Sequence, residues 1–274
     1  MNRPALDLRA ATRTASSPVL RVEQVQLGYW SQDGFTLAVA DATFEVAPRE
    51  KTIVIGPSGC GKSTLLKAVA GFIRPTRGRI QVAGRERLEP GPDRAVVFQE
   101  FDQLFPWRTV LDNVAYPLRV NGWKRRAAAE RAREFVELTS LGAAADRYPH
   151  QLSGGMKQRV AIARALALDP AMLLMDEPFG SLDMLTRARL QQELNGIVER
   201  TSTTLLLVTH SMDEALTVGD KVVVLAGAPS TVREIADVRA VGPPDSPGYA
   251  AARSHLRDLL GVRHEDEDSG GNGD

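Results

Sequence analysis

Four stretches of this chain carry residue types whose spacing could do chemistry. In GPSGCGKST (56–64), Gly56, Gly61, Lys62 and Ser63 fit the pattern G-x-x-x-x-G-K-[ST]. Such glycines let a backbone turn tightly enough for several N–H groups to converge on phosphate oxygens. Gly56, Pro57, Ser58, Gly59, Cys60 and Gly61 would form that cradle, and a helix beginning near Gly61 would add its positive dipole end. Lys62 can reach the β- and γ-phosphates of a nucleoside triphosphate, Ser63 can ligate Mg2+, and Thr64 can donate to the α-phosphate. In AMLLMDEP (171–178), an apolar run ends on Asp176 and Glu177. One carboxylate there can hold the Mg2+ shell, and the other can activate water against the γ-phosphate. Glu177 is the expected base. An isolated Asp-Glu pair reads as two solvated acids, but the apolar run and the upstream phosphate loop favour catalysis. In LSGGMKQR (152–159), Ser153, Gly154 and Gly155 open a helix, a poor start unless some group approaches the backbone closely. In TTLLLVTH (203–210), a lone His210 closes an apolar run.

The elements that must position these residues alternate in type. Strand patterns fall at 19–27, 35–47, 51–55, 79–84, 94–99, 171–176, 203–210 and 221–226, and helical spacing follows the glycine loop and recurs at 184–200 and 211–217. SQDG (31–34) reads as a turn. Strand, glycine loop and helix follow one another around residue 56, the context a phosphate loop needs. Alternation of strands with helices predicts a parallel-rich α/β sheet. From about Thr109 to Leu168 the pattern is helical, so a helical subdomain at about 101–168 is expected inside a sheet domain spanning 19–240. Residues 1–18 read as a flexible lead, and 241–274 as a short C-terminal segment ending in an acidic, glycine-rich tail without a regulatory domain.

Bulk composition narrows the function classes. The chain has 274 residues, with 34 Lys+Arg against 34 Asp+Glu, so no basic stripe for a nucleic-acid backbone is indicated. Cys60 is the one cysteine, which excludes an internal disulfide and a cysteine-rich zinc site and fits a reducing compartment. No run reaches the roughly 18 apolar residues of a membrane span. A thiol beside a helix N-terminus can have a lowered pKa, so a reactive Cys60 is one expectation, set against a small residue that merely fits.

The order phosphate loop, Gln99, LSGG, LLMDEP, SLD and His210 closely resembles the ATP-binding subunit of ABC transporters over roughly residues 19–240. The resemblance implies a P-loop NTPase core of ABC type with a mixed sheet and an inserted helical subdomain, using ATP and Mg2+. It implies that two such domains pair head to tail, as a homodimer or with a related subunit. Ser153, Gly154 and Gly155 of one would cap the ATP held by the other, with Asp183 of SLD across the seam. It further implies that Gln99 contacts Mg2+ and the attacking water, that His210 positions that water at the γ-phosphate, and that Tyr29 stacks on adenine, with Trp30 as its rival. Met156 and Ser181 depart from the common family residues, Gln and Ala, and neither is expected to matter.

EFDQLFPWRTVLDNV (100–114) and MDEPFGSLDMLTR (175–187) resemble the taurine, alkanesulfonate and nitrate importer group. That implies two permease subunits, a periplasmic or surface solute-binding protein, and a peripheral position on the cytoplasmic side of the cell membrane. Phe105, Pro106 and Trp107 would be exposed in the groove where a permease docks, or else form a small core under the helical subdomain. The alternatives are the ATPase subunit of an exporter, a soluble ABC ATPase outside transport, and a nucleotide-binding scaffold that does not hydrolyse.

Overall fold

The computed structural model describes residues 17–31, 34–86, 89–99 and 103–261. Most of the lead, the middle of SQDG and the acidic tail lie outside the described residues. Among the described residues, nine strands form one sheet in the order β4-β1-β2-β9-β8-β3-β7-β6-β5. The parallel half comprises β3 (Lys51–Ile55), β5 (Arg94–Val97), β6 (Met172–Asp176), β7 (Thr204–Thr209) and β8 (Lys221–Gly227). Strands β1 (Leu20–Ser31), β2 (Gly34–Val46) and β4 (Arg77–Val82) form an antiparallel lobe. Strand β9 (Ser230–Asp237) joins the halves, antiparallel to β8 and parallel to β2. The sheet is therefore mixed.

The parallel strands are buried on both faces, which explains their continuous apolar runs. Alternation sends Ile53, Ile55, Leu173, Met175, Leu205 and Leu207 into one core, and Val54, Met172, Leu174, Leu206 and Val208 into the other. The second core also takes Leu65 and Leu66 of α1 (Lys62–Val69) and Leu20, Val22, Leu27, Val39 and Phe44 of the antiparallel lobe. Helix α1 is thus held between two layers, and the loop before it is fixed at both ends.

The first core takes in the helical block: α2 (Val110–Val120), α3 (Arg125–Leu138) and α4 (Gly154–Leu166). Buried Asn113 ties it to the preceding segment, accepting from Phe105 N at 2.9 Å and donating to the Phe105, Arg108 and Thr109 carbonyls. Helices α5 (Met184–Thr201), α6 (Met212–Val218) and α7 (Pro247–Leu260) complete this face. Tyr249, Ala252 and Leu256 of α7 are buried in it, so the segment set apart at 241–274 contributes a helix to the main core.

The strand expected at 94–99 stops at Val97, leaving Phe98 and Gln99 exposed beyond the strand end. No helix among the described residues is long and apolar enough to cross a membrane.

Candidate nucleotide site

The loop 56–61 leaves the C-terminal end of β3 and enters α1 through Gly61, whose φ of 94° is left-handed. A Cβ there would also lie 2.8 Å from Val39 Cγ2, so the position requires glycine both conformationally and sterically. Leu65 N donates to Gly61 O at 2.8 Å, so the N–H groups of Lys62, Ser63 and Thr64 have no acceptor within the helix. They point from a helix N-terminus out of a buried strand, an arrangement that suits phosphate. Lys62 is buried, with Nζ donating to Gly56 O and Pro57 O, both at 2.9 Å. Its charge is held across the mouth of the loop.

Burial favours the small-packing-residue reading of Cys60 over the reactive-thiol one. Its side chain is buried, and desolvation pushes the thiol above its ordinary value despite the opposing pull of Lys62. The Sγ lies only 2.6 Å from where a Cβ on Gly56 would sit, so it packs the inside of the loop. Cys60 is a small packing residue here.

Ser63 Oγ donates to Asp176 Oδ1 at 2.8 Å, bringing together a hydroxyl and a carboxylate separated by 113 residues. These two oxygens fit the hard-cation shell of Mg2+. Burial raises the pKa of Asp176, partly offset by the Ser63 hydrogen bond and by Lys67, so the site favours a compensating positive charge. Glu177 follows at a φ of 44°, uncommon for a residue with a side chain, and its N–H is anchored to Val208 O at 2.9 Å. This turns the carboxylate towards His210, whose Nδ1 lies 3.0 Å from Glu177 Oε2. Gln99 approaches from the far strand end: its Nε2 lies 3.3 Å, and Glu177 Oε2 3.9 Å, from a Cβ position on Gly180. Phosphate loop, Asp176, Glu177, Gln99 and His210 therefore converge at the C-terminal edge of the parallel strands, the usual ligand edge of such sheets.

Strand alternation separates Tyr29 from Trp30. Leu27 pairs with Val39, which backs Gly61, so Leu27 and Tyr29 share the phosphate-loop face of β1. Trp30 points the other way and packs against Phe35, with ring centroids 5.5 Å apart and planes tilted by 60°. Tyr29 is 52% exposed and Trp30 81%.

The signature stretch forms a second helix N-terminus. Ser153 caps α4, accepting from Met156 N at 3.3 Å, while its own O–H can still donate outward. Gly155 is buried against α5: a Cβ there would meet Thr186 Cγ2 at 3.0 Å and Leu190 Cδ1 at 3.4 Å. Asp183 caps α5, accepting from Thr186 N at 3.0 Å, and that bond lowers its pKa. Ser153, Gly155 and Asp183 thus gather around the joined starts of α4 and α5. One loop, 177–183, runs from the Glu177–His210 pair to this cluster.

Residues 39–180 match the ABC transporter family. The chain belongs to this family. The ABC chain is 42% identical over 263 residues to the taurine import ATP-binding protein TauB of Rhizobium johnstonii, covering 91% of this chain and 98% of that one. It is 40% identical over 273 residues to the nitrate import ATP-binding protein NrtD of Synechococcus elongatus, covering 95% and 98%. Among solved structures, a dimeric bacterial ABC transporter cassette superposes with a TM-score of 0.70 at 30% identity, covering 81% of this chain and 99% of that one. The same cassette bound to ADP and phosphate after hydrolysis gives 0.70 at 29%, with the same coverage. The ABC chain is accordingly an ATP-binding, ATP-hydrolysing subunit.

Beside the site, a cavity of about 340 Å³ opens between the sheet domain and the helical block, lined by Phe72, Phe98, Phe105, Tyr116, Pro117 and Arg164 among others. Phe105 was expected to be exposed with Pro106 and Trp107, but it is half-buried. It packs on Tyr116 at 4.7 Å under Arg164 and Arg108, while Trp107 is 70% exposed. The small-core and docking readings thus divide between neighbouring residues.

Proposed function

We propose that this chain powers an importer of a small anionic solute of the taurine, sulfonate or nitrate type, working as a pair of ATPase subunits beneath two permease subunits on the cytoplasmic side of the membrane. The observation that carries the reading is the convergence of Lys62, Gln99, Asp176, Glu177 and His210 at the phosphate loop, in a chain similar over nearly its whole length to import ATP-binding proteins. That convergence disfavours an inert scaffold. An exporter or a soluble ABC ATPase has no comparable observation in its favour.

In this reading the loop 56–61 and the free N–H groups of α1 bind the phosphates, Lys62 neutralises their charge, Thr64 donates to the α-phosphate, and Tyr29 stacks on the base. Ser63, Asp176 and Gln99 would hold Mg2+, which would neutralise charge on the phosphate oxygens. Glu177 accepts the proton of the attacking water, and His210, hydrogen-bonded to Glu177, orients carboxylate and water together. Ser153, with the backbone of Gly154 and Gly155, serves the γ-phosphate of the partner copy's ATP, with Asp183 lining the seam. Two ATP molecules close two copies together. Hydrolysis removes the bridging phosphate, and the seam reopens. The cavity beside Gln99 is the dock for a permease segment, so closure and docking are linked through Phe98 and Phe105, which line it next to Gln99. A solute-binding protein on the other side of the membrane delivers the solute.

The test is uptake. Cells lacking this chain and given it back should accumulate labelled taurine or nitrate in competition with related anions, whereas cells given Glu177→Gln should not. Wild-type uptake of both solutes and of alkanesulfonates without this chain would remove the proposal.

A further inference from the structure

Glu214 is a buried carboxylate that the scheme above does not use. It lies in the first turn of α6, one turn beyond His210. Its Oε2 accepts from Thr209 Oγ1 at 2.6 Å, and its backbone N–H donates to Ser211 Oγ at 3.3 Å. Thr209 Oγ1 in turn accepts from Ser211 N at 3.1 Å. The two residues flanking His210 are therefore both tied to Glu214. On its other side, Oε1 lies 4.0 Å from Arg187 Nε in α5, and Arg187 Nη2 donates to Leu182 O at 3.0 Å. Leu182 immediately precedes Asp183. Burial raises the pKa of Glu214, with Thr209, Arg187 and His210 pulling it down and Glu177 pushing it up.

We infer that Glu214 is a positioning residue joining the seam loop to the water-orienting histidine: Leu182–Arg187–Glu214–Thr209 carries the placement of Asp183 to His210. This rests on the proposed roles of Glu177 in hydrolysis and of Asp183 at the seam, the two ends of loop 177–183. The geometry supports a bridge because the chain path and the side-chain path form a closed ring. Loop 177–183 runs directly from Glu177 to Leu182. The second route runs from Glu177 through His210, Thr209 and Glu214 to Arg187. A ring of this kind resists shear, so when the seam closes His210 moves with the loop. A carboxylate suits the node because its two oxygens accept from Thr209 and face Arg187 at once.

The experiment measures ATPase kinetics, ATP-driven dimerisation and melting temperature of the purified full chain. Glu214→Ala should lower kcat about tenfold or more while the KM for ATP stays within about twofold, since the phosphate loop is untouched. Glu214→Gln keeps an acceptor for Thr209 and should fall between Ala and wild type, and Thr209→Val should resemble Glu214→Ala. In a Glu177→Gln background, Glu214→Ala should still dimerise with ATP. If Glu214→Ala does not fold, Glu214→Gln and Thr209→Val carry the comparison. Unchanged kcat in the folded variants overturns the inference. Loss of kcat, ATP affinity and dimerisation in proportion to melting temperature also overturns it, because Glu214 would then be a general brace. The Glu177→Gln control separates the two levels: full turnover by that variant would remove the underlying reading of Glu177 as the hydrolytic base as well.

Discussion

Replacing Gly61 by Ala should damage the phosphate loop by two separable routes. At a φ of 94°, an L-residue is strained, at about 1–3 kcal/mol. The added Cβ would also sit 2.8 Å from Val39 Cγ2 and 3.3 Å from Ala38 O, one a buried strand side chain and the other backbone. Neither can move without disturbing β2, and overpacking of this kind costs about 1–3 kcal/mol. The sum is about 2–6 kcal/mol. At about 2 °C or more per kcal/mol for a domain of this size, the melting temperature should fall by at least about 4 °C. Because Gly61 sets the aim of the Lys62, Ser63 and Thr64 N–H groups, ATP affinity should fall at least about tenfold, a cost of about 1.4 kcal/mol. Differential scanning fluorimetry and titration with a fluorescent ATP analogue measure both. A variant that melts and binds like wild type would refute the claim that β2 clamps the loop through this glycine.

Other perturbations have defined signs. Ser63→Ala removes the hydroxyl that pairs with Asp176, and loss of a hydrogen bond to a charged group, about 1.5–3 kcal/mol, should raise the Mg2+ concentration for half-maximal activity by about tenfold or more. Tyr29→Ala should weaken ATP binding by about 0.5–1.5 kcal/mol, the scale of aromatic stacking, whereas Trp30→Ala on the opposite face should leave it unchanged in isothermal titration. Glu214→Gln should gain stability relative to wild type as pH rises. The folded pKa of Glu214 lies above its unfolded value, so its stabilising contribution is full below the unfolded pKa and lost through the folded pKa, while Gln does not titrate. Urea unfolding at pH 4, 5, 6 and 7 reads the difference directly.

The candidate site was legible in the sequence because its residues lie in local motifs. The loop at Gly56–Ser63, the acids at Asp176 and Glu177 and the glycines after Ser153 each fix their own backbone context within about ten residues. The parallel strands were legible because burial on both faces makes them uniformly apolar, as at KTIVI and MLLMD. What was not legible depends on partners far along the chain. Strand β9 has a mixed burial pattern and is defined by pairing with β8 and β2. Helix α7 did leave a signal: Ser246 as cap, Pro247 at the first position, then Tyr249, Ala252 and Leu256 at helical spacing. Cys60 illustrates the limit of local reasoning: proximity to a helix N-terminus argues for a low thiol pKa, but burial wins. Glu214 resembled any helix-opening acid, and only tertiary placement between Thr209 and Arg187 distinguishes it.

The central claim is that each ATP is held between two copies, by the phosphate loop of one and the Ser153 helix of the other. Light scattering of Glu177→Gln with and without ATP tests it most directly. Nucleotide alone should shift the protein from monomer to dimer, and Ser153→Arg in the same chain should abolish the shift while leaving ATP binding intact. A dimer that forms equally well without ATP, or that persists with Ser153→Arg, would contradict the shared site.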